Sequence, residues 1–145
     1  MQIATRPQIY LAGPLFSQAE KEFNSRLAQS LEFHFDVFLP QRDGALLIEL
    51  IQRGLNAREA EKRIFDTDMD ALKRCDFFVL VLDGRSVDEG AAFELGVSFI
   101  LGKPCYGLQT DPRRLMPSGN NPMIEGALKS VSTSVEDLLS VLVGR

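Results

Sequence analysis

The chain has 145 residues, of which 45% are hydrophobic, and a formal net charge of -4. This length predicts a single domain, residues 1–145, built around one hydrophobic core. The negative charge argues against a surface for nucleic-acid polymers, whose binding depends on Lys and Arg at phosphates. A small ligand is the better expectation.

The cysteine content and the apolar segments favour a cytoplasmic protein with no membrane partner. Cys75 and Cys105 are the only cysteines, and they form neither a CxxC pair nor a secreted disulfide scaffold. No apolar run is long enough to span a bilayer, and the first residues, MQIATRPQIYLAGP, lack a signal core. With His34 as the only histidine, a His-based metal site is not expected. We therefore predict no metal and no other cofactor.

The first part of the chain alternates short apolar runs with a helical pattern. QIYLAG (residues 8–13) predicts a buried strand that ends in a Gly-Pro turn. Ser17 and Glu20 have the spacing of a capping box, so a helix should begin there. FDVFLP (residues 35–40) predicts a second strand stopped by proline, and QRDG (residues 41–44) predicts a loop.

The middle of the chain contains the strongest strand signal. A helical region runs from about residue 45 to 75, with an interruption near Gly54. FFVLVLDG (residues 77–84) is continuous and apolar and ends at Asp and Gly, which predicts a central strand of the sheet. A helix at residues 90–102 should follow it.

The last part of the chain completes an alternating pattern. KPCYGL (residues 103–108) predicts a fourth strand, followed by a loop from about residue 109 to 122. SVST (residues 130–133) predicts a short fifth strand and VEDLLSVLV (residues 135–143) a closing helix. Strands that alternate with helices predict a parallel sheet covered by helices on both faces. Ligands of such sheets bind at the carboxyl ends of the strands, where the strand order reverses.

Glu94 is the only charge in GAAFELGVSFILG, the predicted helix at residues 90–102. Its neighbours on the helix surface include Gly90, Ala91 and Ser98, which are small and uncharged. A carboxylate in such a dry recess is either paired or kept for chemistry, because burying it alone costs several kcal/mol. The alternative is an exposed Glu on a half-buried helix.

Asp68 is a second acid on an apolar face. It falls between Ile64 and Leu72 on the inward stripe of its helix, whereas Asp66 and Asp70 point to solvent. The alternative is a buried Asp that caps a neighbouring loop.

Asp88 and Tyr10 belong to the same predicted crevice. Asp88 follows the predicted central strand (residues 77–84) and begins the helix of Glu94, so it is either a ligand-binding acid or an ordinary N-cap. Tyr10, in the first strand, brings a phenol to the same edge, unless it is simply a core aromatic residue. Four polar side chains thus converge in principle: Tyr10, Asp68, Asp88 and Glu94.

Several common motifs are absent from the sequence. It has no GxxxxGK[ST], no GxGxxG and no GxSxG, so a P-loop, a dinucleotide fingerprint and a serine nucleophile elbow are not predicted. The candidate catalytic groups that remain are the paired carboxylates. Without a metal, they suit the cleavage of a glycosidic bond, where one attacks the anomeric carbon and another handles a proton.

Five stretches of the chain resemble one family in order: IYLAGPLF, FLPQRDG, FDTDMDAL, LDGRSVDEGAAFELG and NPM. Together they resemble the nucleoside 2-deoxyribosyltransferase family across nearly the whole chain. The resemblance implies an α/β fold with a flavodoxin-like (Rossmann-like) five-stranded parallel sheet and helices on both faces. It also implies homodimers or higher assemblies that exchange bases on 2-deoxyribose through a covalent deoxyribosyl-enzyme, with a deoxynucleoside and a free nucleobase as partners.

The resemblance also assigns roles to individual residues. Glu94 is similar to the family's nucleophile and Tyr10 to the residue that orients it, while Asp88 and Asp68 match acids that meet the base and the sugar. Of these two, Asp88 is the expected proton donor. The predicted substrate-binding residues are Phe16 and Gln41 at the base, Gly13 and Gly90, and Asn121 and Met123 in a neighbouring subunit's sugar pocket, near the 5-hydroxyl.

Two other functions stay open at this stage. A 2-deoxynucleoside 5-monophosphate N-hydrolase would use the same acids with water as acceptor, but it needs phosphate donors, in which AGPLFSQ after the first strand is poor. A non-enzymatic nucleotide-sensing or receiver-like module would use the same sheet, with Lys103 as a strand-end lysine. The first strand, however, ends in Ala-Gly-Pro without the acid that a receiver needs.

Overall fold

The computed structural model describes residues 5–113 and 119–144 and contains a five-stranded parallel sheet. The strands are β1 (Gln8–Ala12), β2 (Asp36–Phe38), β3 (Phe77–Val81), β4 (Cys105–Leu108) and β5 (Val131–Ser132). Their spatial order is β2-β1-β3-β4-β5, and each neighbouring pair is parallel. This is the flavodoxin-like strand order, so the predicted fold and the central position of β3 are confirmed.

Seven helices connect and cover the described strands. They are α1 (Gln18–Leu31), α2 (Pro40–Asp43), α3 (Leu47–Gln52), α4 (Ala57–Arg74), α5 (Glu89–Ile100), α6 (Pro122–Ala127) and α7 (Val135–Val143). Among the residues that the structure describes, no helix has the length and apolar content needed to cross a membrane.

Side-chain caps set where the two longest helices begin. Ser17 and Glu20 form the predicted capping box of α1, each accepting a backbone hydrogen bond from the other. Asn56 and Glu59 form a second box at the start of α4. Gly54, with φ of 97°, lies between α3 and α4, so the predicted interruption of this helical region is confirmed.

Two short helices differ from the sequence predictions. Residues 41–44 were expected to be a loop, but Pro40–Asp43 forms one helical turn closed by a 3.0 Å bond from Gly44 N–H to Pro40 O. Pro40 suits the first position because its missing N–H would have no partner there. The predictions also missed α6, which has a proline at its start and is capped by Asn121, whose side chain accepts from Met123 N–H at 2.9 Å.

Each face of the sheet is covered by its own layer of helices. Ile9 and Leu11 of β1 pack with residues of α1 and α7, whereas Tyr10, between them, packs with residues of α4 and α5. Successive strand side chains point to opposite faces, which explains the division. Tyr10 therefore lies on the side of the sheet that carries the helices of Asp68 and Glu94.

The strand order reverses between β1 and β3, where a crevice opens at their carboxyl ends. Asp83, just after β3, accepts hydrogen bonds from the Thr110 backbone N–H at 2.7 Å and from its hydroxyl at 2.6 Å. Thr110 follows β4, so this pair fixes the ends of two neighbouring strands relative to each other. The loops that border the crevice are thereby held in place.

Candidate active site

Three oxygen atoms without hydrogen-bond partners lie between the sheet and helices α4 and α5. They are the Tyr10 hydroxyl, Asp68 Oδ1 and Glu94 Oε2, and each is buried. No residue within the described part of the chain bonds to any of them. The alternative of a solvent-exposed Glu94 is therefore wrong, and Asp68 Oδ1 does not cap a described loop.

Tyr10 is fixed by aromatic stacking. Its ring stacks on Phe38 at 5.3 Å and on Phe78 at 5.8 Å between centroids, and the residue is fully buried. Burial, followed by the charge of Glu94, raises the pKa of the phenol above its usual range, so the hydroxyl stays protonated. The hydroxyl is close enough to the Glu94 carboxylate to lower its pKa, although neither the hydroxyl nor Glu94 Oε2 has a hydrogen-bond partner among the described residues.

The two buried carboxyl groups titrate near neutral pH. The pKa of Glu94 is raised to about 7: burial is the largest cause, the Tyr10 hydroxyl opposes the shift, and the charges of Asp68 and Asp88 add to it. Burial alone raises the pKa of Asp68 to about 6. Both groups can thus exchange protons under ordinary cellular conditions, as acid and base catalysts must.

Asp68 and Glu94 share a cavity of about 280 Å³ between α4 and α5. Its size lies close to the lower end for small-ligand sites. We call it the acid cavity; its lining residues are Glu61, Ile64, Phe65, Asp68, Met69, Leu72, Gly90, Phe93 and Glu94. Phe65 and Phe93 are half exposed, with ring centroids 6.4 Å apart. Phe65 lies one helical turn before Asp68, so the helical spacing that selected Asp68 would also have found it.

Asp88 caps α5. Its Oδ2 accepts a 3.0 Å hydrogen bond from Ala91 N–H, so the N-cap alternative is confirmed. The same carboxylate is near enough to Glu94 to raise the pKa of that group. Asp88 does not, however, line the acid cavity. Gly90, which does, is also held close to the cap, since a Cβ there would lie 3.3 Å from Asp88 Oδ2.

Two glycines allow close backbone packing beside the crevice. A Cβ on Gly13 would lie 2.9 Å from Val81 Cβ, so the turn after β1 packs directly on β3. A Cβ on Gly44 would lie 2.6 Å from Pro40 O and 3.2 Å from Asp68 Oδ1. The loop after α2 therefore covers Asp68, a contact that the sequence analysis missed and that no local pattern signals.

The two residues predicted at the base lie beside α1. Phe16 is largely exposed just before the helix. Gln41 is tied to α1, because its Nε2 donates to Lys21 O at 2.8 Å and its Oε1 accepts from Asn24 Nδ2 at 3.0 Å. Asn24 also donates to Pro14 O at 2.8 Å, which anchors the turn after β1. Neither Phe16 nor Gln41 lines the acid cavity.

Asn121 and Met123 lie on the other side of α5, in a second cavity of about 400 Å³. We call it the amide cavity; its lining residues are Arg85, Ser86, Val87, Ala92, Gly119, Asn120, Asn121, Met123 and Ile124. Gln109 and Asn120 hold this segment through reciprocal amide bonds of 3.1 and 2.8 Å. Met123 is 81% exposed. A single chain therefore brings together the four predicted catalytic residues, Tyr10, Asp68, Asp88 and Glu94. Asn121 and Met123 lie apart from them in the same chain.

Comparison with known proteins identifies the family. Residues 9–138 match the family model of the nucleoside 2-deoxyribosyltransferases. The chain belongs to this family. Its enzymes act on the glycosidic bond of nucleosides, by transfer or by hydrolysis. No curated protein matches the chain in sequence.

Solved structures similar to this nucleoside 2-deoxyribosyltransferase family member cover almost all of it. A conserved protein from Enterococcus faecalis V583 is 29% identical, with a TM-score of 0.82, over 97% of this chain and 99% of that one. The 2-deoxyribosyltransferase of Bacillus psychrosaccharolyticus is 27% identical, with a TM-score of 0.74, over 90% and 89%. The CMP N-glycosidase BcmB of Clostridium botulinum, 18% identical with a TM-score of 0.54 over 94% and 98%, shows a shared fold alone.

The positions of Lys103 and of the acidic side chains in this family member argue against a receiver-like module. Lys103 Nζ donates to Lys73 O at 2.9 Å and to Cys75 O at 2.6 Å, at the end of α4 and before β4 begins. Lys103 therefore lies at the opposite edge of the sheet from the crevice, where a receiver-like module could not use it. Within residues 5–113 and 119–144, no three His, Cys, Asp or Glu side chains are grouped so as to hold a metal ion.

Proposed function

We propose that this protein transfers 2-deoxyribose between nucleobases through a covalent deoxyribosyl-Glu94 intermediate. One observation carries the proposal: the Glu94 carboxylate is buried, has an oxygen without a partner, and shares a cavity of small-ligand size with Asp68. Membership of the family supports the class of substrate, which is a deoxynucleoside with a free nucleobase as acceptor.

In the first step, a Glu94 oxygen attacks the anomeric carbon of the deoxynucleoside. The new carbon–oxygen bond forms as the bond from carbon to the base nitrogen breaks, and the bonding electron pair leaves with the base. The buried Oε2 atom of Glu94 has little hydration to lose before it attacks. The departing base must receive a proton.

We assign that proton to Asp68, which reverses the expectation for Asp88. Asp68 has a raised pKa of about 6, its Oδ1 has no described partner, and it lines the same cavity as Glu94. Asp88 already uses Oδ2 to cap α5 and lies outside the cavity lining. We place Asp88 beside the base, where its charge also keeps the pKa of Glu94 high.

In the second step, the incoming base attacks the same carbon and releases Glu94. Asp68 takes back a proton from this base, and two displacements in succession retain the configuration of the anomeric carbon. Tyr10 remains protonated throughout, so its hydroxyl can donate to the Glu94 carboxylate before attack and again on release. Its role is to hold the nucleophile in one orientation.

We further propose that the working enzyme is a homo-oligomer with shared sites. Asn121 and Met123 line a cavity separate from that of Glu94, and Met123 is largely exposed, which supports their use by a neighbouring copy. Gly13, Phe16, Gln41 and Gly90 are proposed to border the bound substrate. We place the reaction in the cytoplasm, as part of nucleobase salvage.

Hydrolysis of the same bond is the second candidate function. Water would replace the acceptor base, and the half-exposed Phe65 and Phe93 leave the cavity open to it. The acid cavity is lined by Glu61, Asp68 and Glu94 and by no Lys or Arg, which disfavours a 5-monophosphate. A hydrolase acting on unphosphorylated deoxynucleosides is therefore the closer competitor.

Mass spectrometry after brief exposure to a deoxynucleoside tests the proposal. The wild-type protein should gain the mass of one deoxyribosyl group, and Glu94→Ala should gain none. Glu89→Ala is the matched control, because Glu89 is an exposed acid in the first turn of the same helix. Adding a second base should release the adduct as a new deoxynucleoside. An adduct that persists in Glu94→Ala would refute the assignment, and release as free sugar alone would favour the hydrolase.

A further inference from the structure

The one-turn helix α2 is held together by its own side chains. A single helical turn is not stable alone, because its first hydrogen bond does not offset the cost of ordering the backbone. Arg42 Nε and Nη2 donate to the two carboxylate oxygens of Asp43 at 2.9 and 2.8 Å. Asp43 Oδ2 also accepts at 2.9 Å from the N–H of Leu39, the residue that precedes the helix. The pair thus closes the turn on itself.

Arg42 also fastens α2 to the elements on either side of it. Its Nη2 donates to Val37 O in β2 at 2.8 Å, and its Nη1 donates to Glu32 Oε1, at the end of α1, at 2.7 Å. A planar guanidinium presents its donors in a rigid fork, so it can hold several acceptors in one geometry. The turn is therefore fixed relative to both β2 and α1.

Gly44, which follows the turn, lies directly against Asp68. Its φ of -79° and ψ of 172° suit any residue, so the backbone conformation does not require a glycine. Space does require one, because a Cβ would lie 3.2 Å from Asp68 Oδ1 and 2.6 Å from Pro40 O. Any side chain at this position would open the turn or push it away from Asp68.

The oxygen of Asp68 that Gly44 covers is the buried one. Asp68 Oδ1 is shielded from solvent and has no hydrogen-bond partner among the described residues, although the residue as a whole is only half-buried. A backbone segment that excludes water without donating a hydrogen bond favours the protonated carboxyl group over the carboxylate. Burial, which raises the pKa of Asp68 to about 6, agrees with this contact.

We propose that Gly44, held in place by the Arg42–Asp43 pair, is a positioning residue that keeps Asp68 protonated for the departing base. This inference rests on the proposed function and adds to it a physical cause for the proton that Asp68 carries. Neither Gly44 nor the pair lines the acid cavity, so all three residues act through Asp68.

The charges around Asp68 separate this cause from a direct effect of Arg42. The described ionisable groups that face Asp68 from its own helix, from α5 and from the sheet are Glu61, Glu94 and Tyr10. On the α2 side, the charge of Arg42 is paired with that of Asp43 at 2.8 Å. If the Arg42 cation acted directly on Asp68, its removal would raise the pKa of Asp68. If Arg42 acts by holding the turn, its removal admits water and lowers that pKa.

An NMR titration of isotope-labelled aspartate carboxyl groups tests the inference without substrate. The signal of Asp68 is the one missing from Asp68→Asn, and its midpoint in the wild type should lie near pH 6. Gly44→Ala and Arg42→Gln should each lower this midpoint by about one pH unit or more, towards the value of roughly 4 for a solvated Asp. Gly126→Ala, where a Cβ would meet no atom within 4 Å, and Arg58→Gln, at an exposed residue, are matched controls that should not move it.

Base-exchange assays provide a second readout. In Gly44→Ala and Arg42→Gln the optimum of the pH–rate profile should move to lower pH. The rate at about pH 8 should fall roughly tenfold for each unit by which the pKa of Asp68 is lowered, because fewer molecules carry the proton.

The outcomes distinguish a positioning role from a structural one. An unchanged midpoint in Gly44→Ala, or a raised one in Arg42→Gln, would overturn the proposal, as would a lower melting temperature with an unchanged titration. Circular dichroism shows whether each variant folds, and Arg42→Gln decides alone if Gly44→Ala does not. Lowered midpoints in a protein that transfers no deoxyribose would leave the effect of Gly44 on Asp68 standing and remove only the proposed function.

Discussion

The Glu94 carboxylate and the Tyr10 hydroxyl lie side by side, although one belongs to α5 and the other to the central region of the sheet. Neither the Tyr10 hydroxyl nor Glu94 Oε2 has a hydrogen-bond partner among the described residues. The hydroxyl of an ordinary buried tyrosine forms a hydrogen bond with a neighbouring group. This unbonded state is the one expected, before substrate binds, of a nucleophile (Glu94) and the donor that orients it (Tyr10).

Tyr10→Phe separates this role from a role in packing. The ring stays stacked on Phe38 and Phe78, and the lost hydroxyl has no partner, so the free energy of unfolding should change by less than about 1 kcal/mol. The rate of base exchange should fall about 10- to 100-fold, the worth of one hydrogen bond to a charged group. Urea unfolding and exchange kinetics give both values. Lost stability with an unchanged rate would make Tyr10 a purely structural residue.

Asp68→Asn should abolish most of the activity while its neighbours tolerate the same change. Removing a general acid should cost about 100- to 10,000-fold in rate. Asp66 and Asp70 are exposed, and Asp66 pairs with Lys62 at 2.5 Å, so Asp66→Asn and Asp70→Asn should stay near the wild-type rate. Steady-state exchange assays on the three variants provide the comparison. Equal losses in all three would contradict the assignment of Asp68.

The rate of exchange should depend on pH as a narrow bell. Glu94 must be ionised to attack, so the rate rises with pH through its pKa of about 7. Asp68 must hold a proton, so the rate falls as pH rises through its pKa of about 6. The productive combination is then a minor form that peaks between these two values, and the pair titrates as a unit. Replacing Asp68 by Asn should remove the alkaline limb, whereas a flat wild-type profile would contradict both roles.

Stability should also fall as pH rises, because both pKa values are raised by folding. Each group stabilises the protein fully below its unfolded pKa of roughly 4, and that contribution is lost as pH rises through about 6 to 7. The melting temperature should therefore be lower at about pH 8 than at about pH 5. Glu94→Gln should show a smaller difference, and Glu89→Gln should keep the wild-type slope. A Glu94→Gln protein with the full wild-type slope would show that Glu94 is not the cause.

Two inactive variants should restore activity when mixed, if each site draws on two copies. Glu94→Ala removes the nucleophile, and Asn121→Ser removes the amide while Ser keeps the cap of α6. After the copies exchange, half of the dimers are mixed and each contains one intact site, which predicts about a quarter of the wild-type activity. Unmixed variants are the control. No recovery after proven subunit exchange would show that Asn121 serves its own chain.

Much of the fold was predictable because its signals are local. Each signal determines the structure of only a few neighbouring residues, as do the apolar run of β3, the capping box at Ser17 and the glycine at position 54. The two carboxylates at positions 68 and 94 were found in the same way, since helical spacing alone places them on apolar faces.

Other features depend on distant parts of the chain and left no local signal. The backbone of Gly44 packs on Asp68, and Gln41 is tied to α1 by bonds to Lys21 and Asn24. The helices α2 and α6 are only one or two turns long, too short to show a helical period. Which polar residues share a cavity is also a tertiary property, so the separation of Asn121 from Glu94 required the structure.

The cap at Asp88 narrows the routes by which this enzyme could evolve. A residue at position 88 must cap helix α5, and Ser, Asn and Thr can do so in place of Asp. Each of these removes one negative charge near Glu94 and so lowers its pKa without loosening the helix. A change in this one codon could thus lower the pH below which Glu94 is protonated, while the fold stays intact. Such a variant would suit a more acidic compartment or growth medium.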